Sequence, residues 1–504
     1  MKSVTGGSQL AELNRFASHD AAAAPVARRV LGDTPRRLKL LTSGLVLAGL
    51  VLGLVYTLGL LRDSASVGDL GARTTEVSAT SDLYYRLNDM DAQAANALLV
   101  GFHPADPAAV PASVDAAAST AAYTKDRTAA DADLARVSQN PLLTARASRL
   151  LDTLGSYESL LAEALYIDQN TQNEQPAAPP ATALSLYTKA STLLHSSLLK
   201  DAGDITTADD AEVNSAYTSD HSAITGFGYA ILGLALLAAL VLTLGNRYYA
   251  RRFHRRLSLL TLGSVFALVL GLVGLTAQLG EANHLHVAKQ EAYDSIYALG
   301  RAQAVSDDAN ADESRWLLEG RPGALQTSFF LKASEVGGVE SVSVTQAAAD
   351  PSAYYSALDA ATGALHLDAS ADTVTGSTLI GYLGTELGNV TFPGEAQAAV
   401  DATKAFDAYL QDDAKIRADA AAGNVAGAVS VDIGLQAGQS NFDFNHYMTA
   451  LDKVVQVNTG YFDSAIAAGQ GGIGAGAWTV LVLGEVLLLL CVAQAGYLRL
   501  REYR

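Results

Sequence analysis

Leu40–Leu61 reads LLTSGLVLAGLVLGLVYTLGLL, a run with neither charge nor proline. About 20 consecutive apolar residues carry a helix across the hydrocarbon core of a bilayer, and this run is that long. Its Ser and Thr hydroxyls can bond back to the carbonyls of their own helix. Three more runs share this character: Ile224–Gly245, Ser258–Leu279 and Ile473–Leu498, and only the last holds a charged residue, Glu485. Buried helices of soluble proteins are seldom so long and so uniformly apolar. The first run follows 39 residues, too many for a short basic leader, so it reads as a retained helix and not a cleaved signal. The expected fold class is an all-α membrane protein with transmembrane helices at 40–61, 224–245, 258–279 and 473–498.

Basic residues flanking such helices mark the cytoplasmic side. Segment 1–39 carries Lys2, Arg15, Arg28, Arg29, Arg36, Arg37 and Lys39. The connection 246–257 carries Arg247, Arg251, Arg252, Arg255 and Arg256, and the tail 499–504 adds Arg499, Arg501 and Arg504. With four spans these three segments share one face, so both termini are expected in the cytoplasm of a plasma-membrane protein. Segments 62–223 and 280–472 then lie outside as two extracytoplasmic domains. They hold 22 acidic against 10 basic residues and 25 against 9, so the net charge of −18 averages a basic inner side with two acidic outer domains.

That balance repels phosphate, so nucleic acid is not an expected partner, whereas the lipid bilayer is. The chain is 49% hydrophobic and only 17% charged, with a mean hydropathy of +0.17. Its one cysteine, Cys491, falls inside the fourth span, which leaves neither outer domain a disulfide. Arginine in preference to lysine, with heavy use of Ala and Gly, suggests a high-GC bacterium such as an actinobacterium.

The chain also repeats itself. Asp89-Met90-Asp91 followed by Leu98-Leu99-Val100-Gly101 recurs 219 residues on as Asp308-Ala309-Asn310 followed by Leu317-Leu318-Glu319-Gly320. The same offset lays the first span on the third. Asp152, Tyr157, Leu161 and Ile167 recur 249 residues on as Asp401, Phe406, Leu410 and Ile416, an offset that lays the second span on the fourth. A tandem parallel duplication of a span–domain–span cassette is expected, with about 30 residues gained between Gly320 and Val400.

In 62–223, prolines punctuate at Pro104, Pro107 and Pro111, at Pro141, and at Pro176, Pro179 and Pro180. Between them, Leu150, Leu154, Tyr157, Leu161 and Ala164 lay one apolar seam along a helix. Four helices with three breaks predict a four-helix bundle whose first and last helices continue into the spans. The second domain breaks at Pro322-Gly323, Pro393-Gly394 and Gly423-Asn424. Its extra segment, 337–376, is rich in Gly, Ser, Thr and Val, and places Val342, Val344, His366 and Val374 in short strands or a loop.

Patterns for chemistry are sparse. The sequence has no Walker A, no H-E-x-x-H, no Gly-x-Ser-x-Gly and no cysteine pair, so no catalytic, metal or cofactor-binding residue is assigned and no cofactor is expected. His284-Leu285-His286 reads as a polar helix face. The acidic groups Asp307-Asp308, Asp312-Glu313 and Asp412-Asp413 lack the ligand spacing of a calcium loop and read as solvated helix faces. Asp89 and Asp308 stand out because they hold equivalent repeat positions, without an assigned role. Glu485 lies mid-span, where a carboxylate is costly; protonated, it can hydrogen-bond Ser43, Thr57, Thr243, Thr261 or Ser264 and join helices, with a signalling or transport role as the alternative. Gly49-x-x-x-Gly53 offers a close-packing face. The arginines of the 246–257 loop, with Tyr248, Tyr249 and Phe253, form a surface for a cytoplasmic partner or for anionic lipid.

Helical bundles continuous with membrane spans resemble the periplasmic sensor modules of bacterial chemoreceptors. Four spans, two outer helical domains, an Arg-rich inner loop and a short inner N-terminus together resemble the GlnX-type transmembrane proteins of actinobacterial glutamate/glutamine sensing. That resemblance implies a non-enzymatic transducer linking an outer solute-binding protein (GlnH) to a cytoplasmic Ser/Thr kinase (PknG). A transport component and a cell-envelope scaffold are the alternatives, and a homo-oligomer is compatible with each.

Overall fold

The computed structural model describes residues 9–100, 116–139, 143–171, 177–253, 258–472 and 475–501. Pro104, Pro107, Pro111, Pro141 and Pro176 lie outside the described residues. Helices dominate, and among the described residues the sheets are two antiparallel pairs of short strands. The chain divides into two compact units: Met1–Val67 with Ser219–His284 and Ala468–Arg504, and Gly68–Thr218 with Leu285–Ala467.

The first half of the chain runs through α1 (Gln9–Val100), α2 (Ala116–Val137), α3 (Thr144–Asn170), α4 (Ala181–Leu193), a π-helical turn at Leu194–Leu198, and α5 (Leu199–Phe253). Next come α6 (Ser258–His286), a second π-helical turn at Val287–Tyr293, and α7 (Asp294–Leu318). Then follow α8 (Gly323–Gly337), β1 (Gly338–Val339), α9 (Val344–Ala349), α10 (Pro351–Gly363), β2 (His366–Asp368), β3 (Thr373–Thr375) and β4 (Leu379–Ile380). The chain closes with α11 (Gly381–Gly388), α12 (Glu395–Ala421), α13 (Val425–Asp432), α14 (Ser440–Gly472) and α15 (Ala475–Arg501).

Four helical stretches are long and apolar enough to cross a membrane: Arg36–Val100, Ala181–Arg251, Leu259–Leu318 and Ser440–Leu498. Their parts up to Val67, from Ser219, up to His284 and from Ala468 lie in the first unit. Along α1, Leu38, Leu45, Leu52, Tyr56 and Leu60 are buried in one seam, while Leu40, Leu47, Leu54 and Leu61 are exposed. A row of bare leucines of that length suits lipid and not water. Small residues bring the helices close: a Cβ added at Gly271 of α6 would lie 2.3 Å from Cβ of Ala235 in α5.

The second unit joins the two long segments expected as separate domains. One core cluster draws Leu87, Leu98, Leu154 and Tyr157 together with Trp316, Leu317, Ile416 and Val429. A second is aromatic, with Phe329, Phe330, Tyr354, Phe406 and Tyr447. The seam read from α3 is the buried one: Leu150, Leu154, Tyr157, Leu161 and Ala164 all face inward.

The breaks in the second half fall where they were expected. Pro322 precedes α8, Gly394 precedes α12 with φ of 89°, and Asn424 caps α13 by accepting from the Gly427 amide. A φ that positive suits glycine alone among common residues. The segment 337–376 has the expected connection or strands at Val342, His366 and Val374 but also forms two short helices, the first of which takes in Val344. A Ser343/Gln346 capping box starts α9 at Val344, and Pro351 opens α10. Only His366 and Val374 sit in strands, paired in the β2–β3 hairpin.

Candidate functional site

Asp308, Asp312 and Arg315 stand at positions i, i+4 and i+7 of α7, so they share one helix face. That face is buried. Arg315 Nη2 lies 3.3 Å from Asp308 Oδ1 and also pairs with Asp312, while Nη1 lies 3.5 Å from Asp91 Oδ2 of α1. Nη1 donates to Ser191 Oγ at 2.7 Å and contacts Nε2 of His195, which the first π-helical turn carries. Lys332 of α8 completes the group, with Nζ 2.7 Å from Asp308 Oδ1 and 2.5 Å from Asp312 Oδ2.

Burial alone would raise the carboxyl pKa values here. Lys332, His195 and Arg315 overcome it at Asp308, and His195 and Arg315 do so at Asp91, so both are held below the usual carboxylate range. This ion cluster ties α1 and the π-helical turn of the first segment to α7 and α8 of the second.

The residues between Asp312 and Arg315 repeat the theme. Ser314 Oγ lies 2.9 Å from Asn96 Oδ1 and 3.1 Å from Asp432 Oδ2. Glu313 is fully buried beside Asp413, Asp432 and Arg417, and burial followed by those carboxylates raises its pKa well above the ordinary value. Arg417 Nε donates to Asp413 Oδ2 at 2.8 Å and stacks its guanidinium over Trp316 at 4.6 Å and Phe329 at 4.8 Å. The solvated-face reading of Asp307-Asp308, Asp312-Glu313 and Asp412-Asp413 is therefore corrected, since all six are buried. All six lie in the second segment, and groups that meet them, such as Lys332 of α8 at Asp312 and Asp89 of α1 at Asp307, come from other helices, which local spacing does not reveal.

Asp89 and Asp308 do different things. Asp89 lines a separate cavity of about 350 Å³, bounded by α1, α2, α7 and α14. Asp126 of α2 and Asp307 of α7 line it too, and the guanidinium beside them belongs to Arg86, whose Nη1 lies 3.1 Å from Asp126 Oδ1. Gln93 donates to Asp89 Oδ1 at 3.0 Å. Burial, then the Asp126 charge, push Asp89 up to about 7. Burial, then Asp89 and Asp126, push Asp307 well above the usual range. Asp307 Oδ2 has no hydrogen-bond partner among the described residues.

In the first unit, Glu485 of α15 packs its carboxyl against the small-residue face of α1. A Cβ at Gly53 would lie 2.9 Å from Glu485 Cδ, and one at Gly49 would lie 3.5 Å from Oε1. None of the expected hydroxyls bonds to it: Thr57 donates to Gly53 O at 2.8 Å, Thr243 pairs with Ser264 at 3.4 Å, and Thr261 accepts from Asn246. Both Glu485 oxygens lack a partner among the described residues, because the glycines that admit the side chain offer it only Cα hydrogens.

Of the loop arginines, Arg247 and Arg251 are exposed and border a shallow hollow with Leu244 and Tyr248. Arg252 is described only in its helical backbone, and Arg255 and Arg256 lie outside the described residues. His286 is not a bare polar face: Nδ1 lies 3.4 Å from Tyr217 Oη and Nε2 lies 3.6 Å from Glu291.

Residues 66–218 match the family model described as an actinobacterial sensor domain. The matched stretch spans Gly68–Thr218, the first portion of the second unit. A sensing role fits this chain, and so does an actinobacterial setting. No curated protein and no solved structure matches it.

Proposed function

We infer that the chain is a non-enzymatic transmembrane signal transducer. The observation that carries this reading is the continuity of two helices. α1 and α5 supply the ends of the matched sensor stretch 66–218, and each runs on without a break into an apolar span. A helix is stiff along its axis, so a small slide or rotation at one end reaches the other.

On this reading the second unit is extracytoplasmic and both termini are cytoplasmic. The stimulus is a small ligand or a solute-binding protein, with amino acids of the glutamate/glutamine type as the first candidates. A cytoplasmic Ser/Thr kinase reads the output at Arg247, Arg251, Arg252, Arg255 and Arg256.

Affinity capture of the full-length protein from native membranes, with and without added glutamate or glutamine, tests this. A co-purifying Ser/Thr kinase whose recovery depends on the additive, and which is lost when the five arginines become alanine, is expected. Unchanged kinase recovery from the alanine variant contradicts it.

A further inference from the structure

Asp307 and Asp308 are neighbours on α7, yet their surroundings differ sharply. Asp308 has two cations in contact, Lys332 at 2.7 Å and Arg315 at 3.3 Å. Asp307 is only 2% exposed, faces two more carboxylates, Asp89 and Asp126, and keeps Oδ2 without a described partner. The cations at this cavity are Arg86, which is paired with Asp126, and Lys125, which is exposed. A buried carboxylate that outnumbering acids surround is costly to ionise until more positive charge arrives. The group therefore waits for positive charge, and it does so on the wall of a cavity of about 350 Å³, within the size range of small-molecule sites.

The chemistry narrows what that charge can be. Among the described residues no group of three ligating side chains has a metal's spacing, so a bare cation is poorly served. Tyr85, Phe444 and Met448 form part of the same wall, which suits a carbon stem and a cation held against an aromatic face. We propose that this cavity binds a small organic cation, a primary amine or a guanidine, whose charged head is received by Asp89, Asp126 and Asp307. The proposal deepens the sensor reading and takes its physiological meaning from it, although binding can be measured without any signalling output.

The probe is butane-1,4-diamine, titrated calorimetrically into the purified full-length protein in lipid nanodiscs, with L-glutamate at the same ionic strength as the anionic arm. Saturable binding of the diamine is expected, with no glutamate binding that Ala118→Phe blocks. Charge-assisted hydrogen bonds set the expected loss at about ten- to hundredfold for Asp307→Asn and for Asp89→Asn. Because buried substitutions can disturb folding, Ala118→Phe is the second variant: Ala118 is exposed, lines the cavity and touches none of the carboxylates' ion pairs. It is expected to abolish diamine binding while the thermal unfolding midpoint stays put.

No diamine binding, diamine binding that survives both Ala118→Phe and Asp307→Asn, or glutamate binding blocked by Ala118→Phe would each overturn the proposal. A kinase response that persists in Ala118→Phe leaves the transducer reading standing and removes only this site. Diamine binding with no change in any cytoplasmic partner does the reverse.

Discussion

At the residue scale the second unit holds two kinds of acid. Asp91 and Asp308 are paired with cations and stay ionised. Asp89 and Asp432 are each raised from 3.8 to about 7, and Glu386 from 4.5 to about 8, with burial as the largest cause in all three. The sign follows from proton counting. Between about pH 4 and pH 7 to 8 the unfolded chain has released these protons while the folded chain keeps them, so the folded state binds more protons and stability falls as pH rises. The depressed pair acts the other way, since its contribution is lost only as pH falls below the ordinary carboxylate range. Thermal unfolding of the full-length protein is thus expected to show a higher midpoint at pH 5 than at pH 8, and the opposite order would contradict this account of the buried acids. A signal for one cluster was present in the sequence: Asp308, Asp312 and Arg315 share a helix face. Read as neighbours in pairs, the same acids looked solvated, and Lys332, Asp91 and His195 come from too far along the chain to be placed beside them by spacing.

At the element scale, helices with a clean period were legible and mixed segments less so. The α3 seam came directly from the 4-3-4-3 spacing of its apolar residues, because a helix exposes one face and buries the other. Leu154 is 2% exposed and Leu151, three positions away, is 55% exposed. Leu154→Ala is expected to lower stability by about 2–5 kcal/mol through lost burial and a cavity, while Leu151→Ala stays within about 0.5 kcal/mol. Equal effects in a denaturation series would count against the packing described. The stretch 337–376 was legible only in part: its strands and connections were expected, but its Gly, Ser and Thr content hid two short helices that local caps start there. Glu485 was legible as an anomaly but not in its contacts: a mid-span carboxylate is visible in one dimension, whereas its seat on Gly49 and Gly53 depends on which helices adjoin.

At the scale of the whole molecule, two acidic segments separated by two spans build one compact unit: the Leu154–Trp316 core and both sets of buried ions use both segments, while the aromatic core is built from the second. Composition could not foretell that union, because each segment alone has enough apolar residues for a bundle of its own. Four apolar helices, by contrast, were evident from hydropathy, and the exposed leucine rows of the first unit accord with a lipid setting. The transducer reading needs one thing above all, that the second unit and the 246–257 loop lie on opposite sides of the membrane. Cysteine labelling in intact cells tests it directly. With Cys491 replaced by alanine, Lys125→Cys is expected to react with a membrane-impermeant maleimide, and Arg251→Cys only after the cells are permeabilised. Labelling of Arg251→Cys but not Lys125→Cys in intact cells would contradict the account.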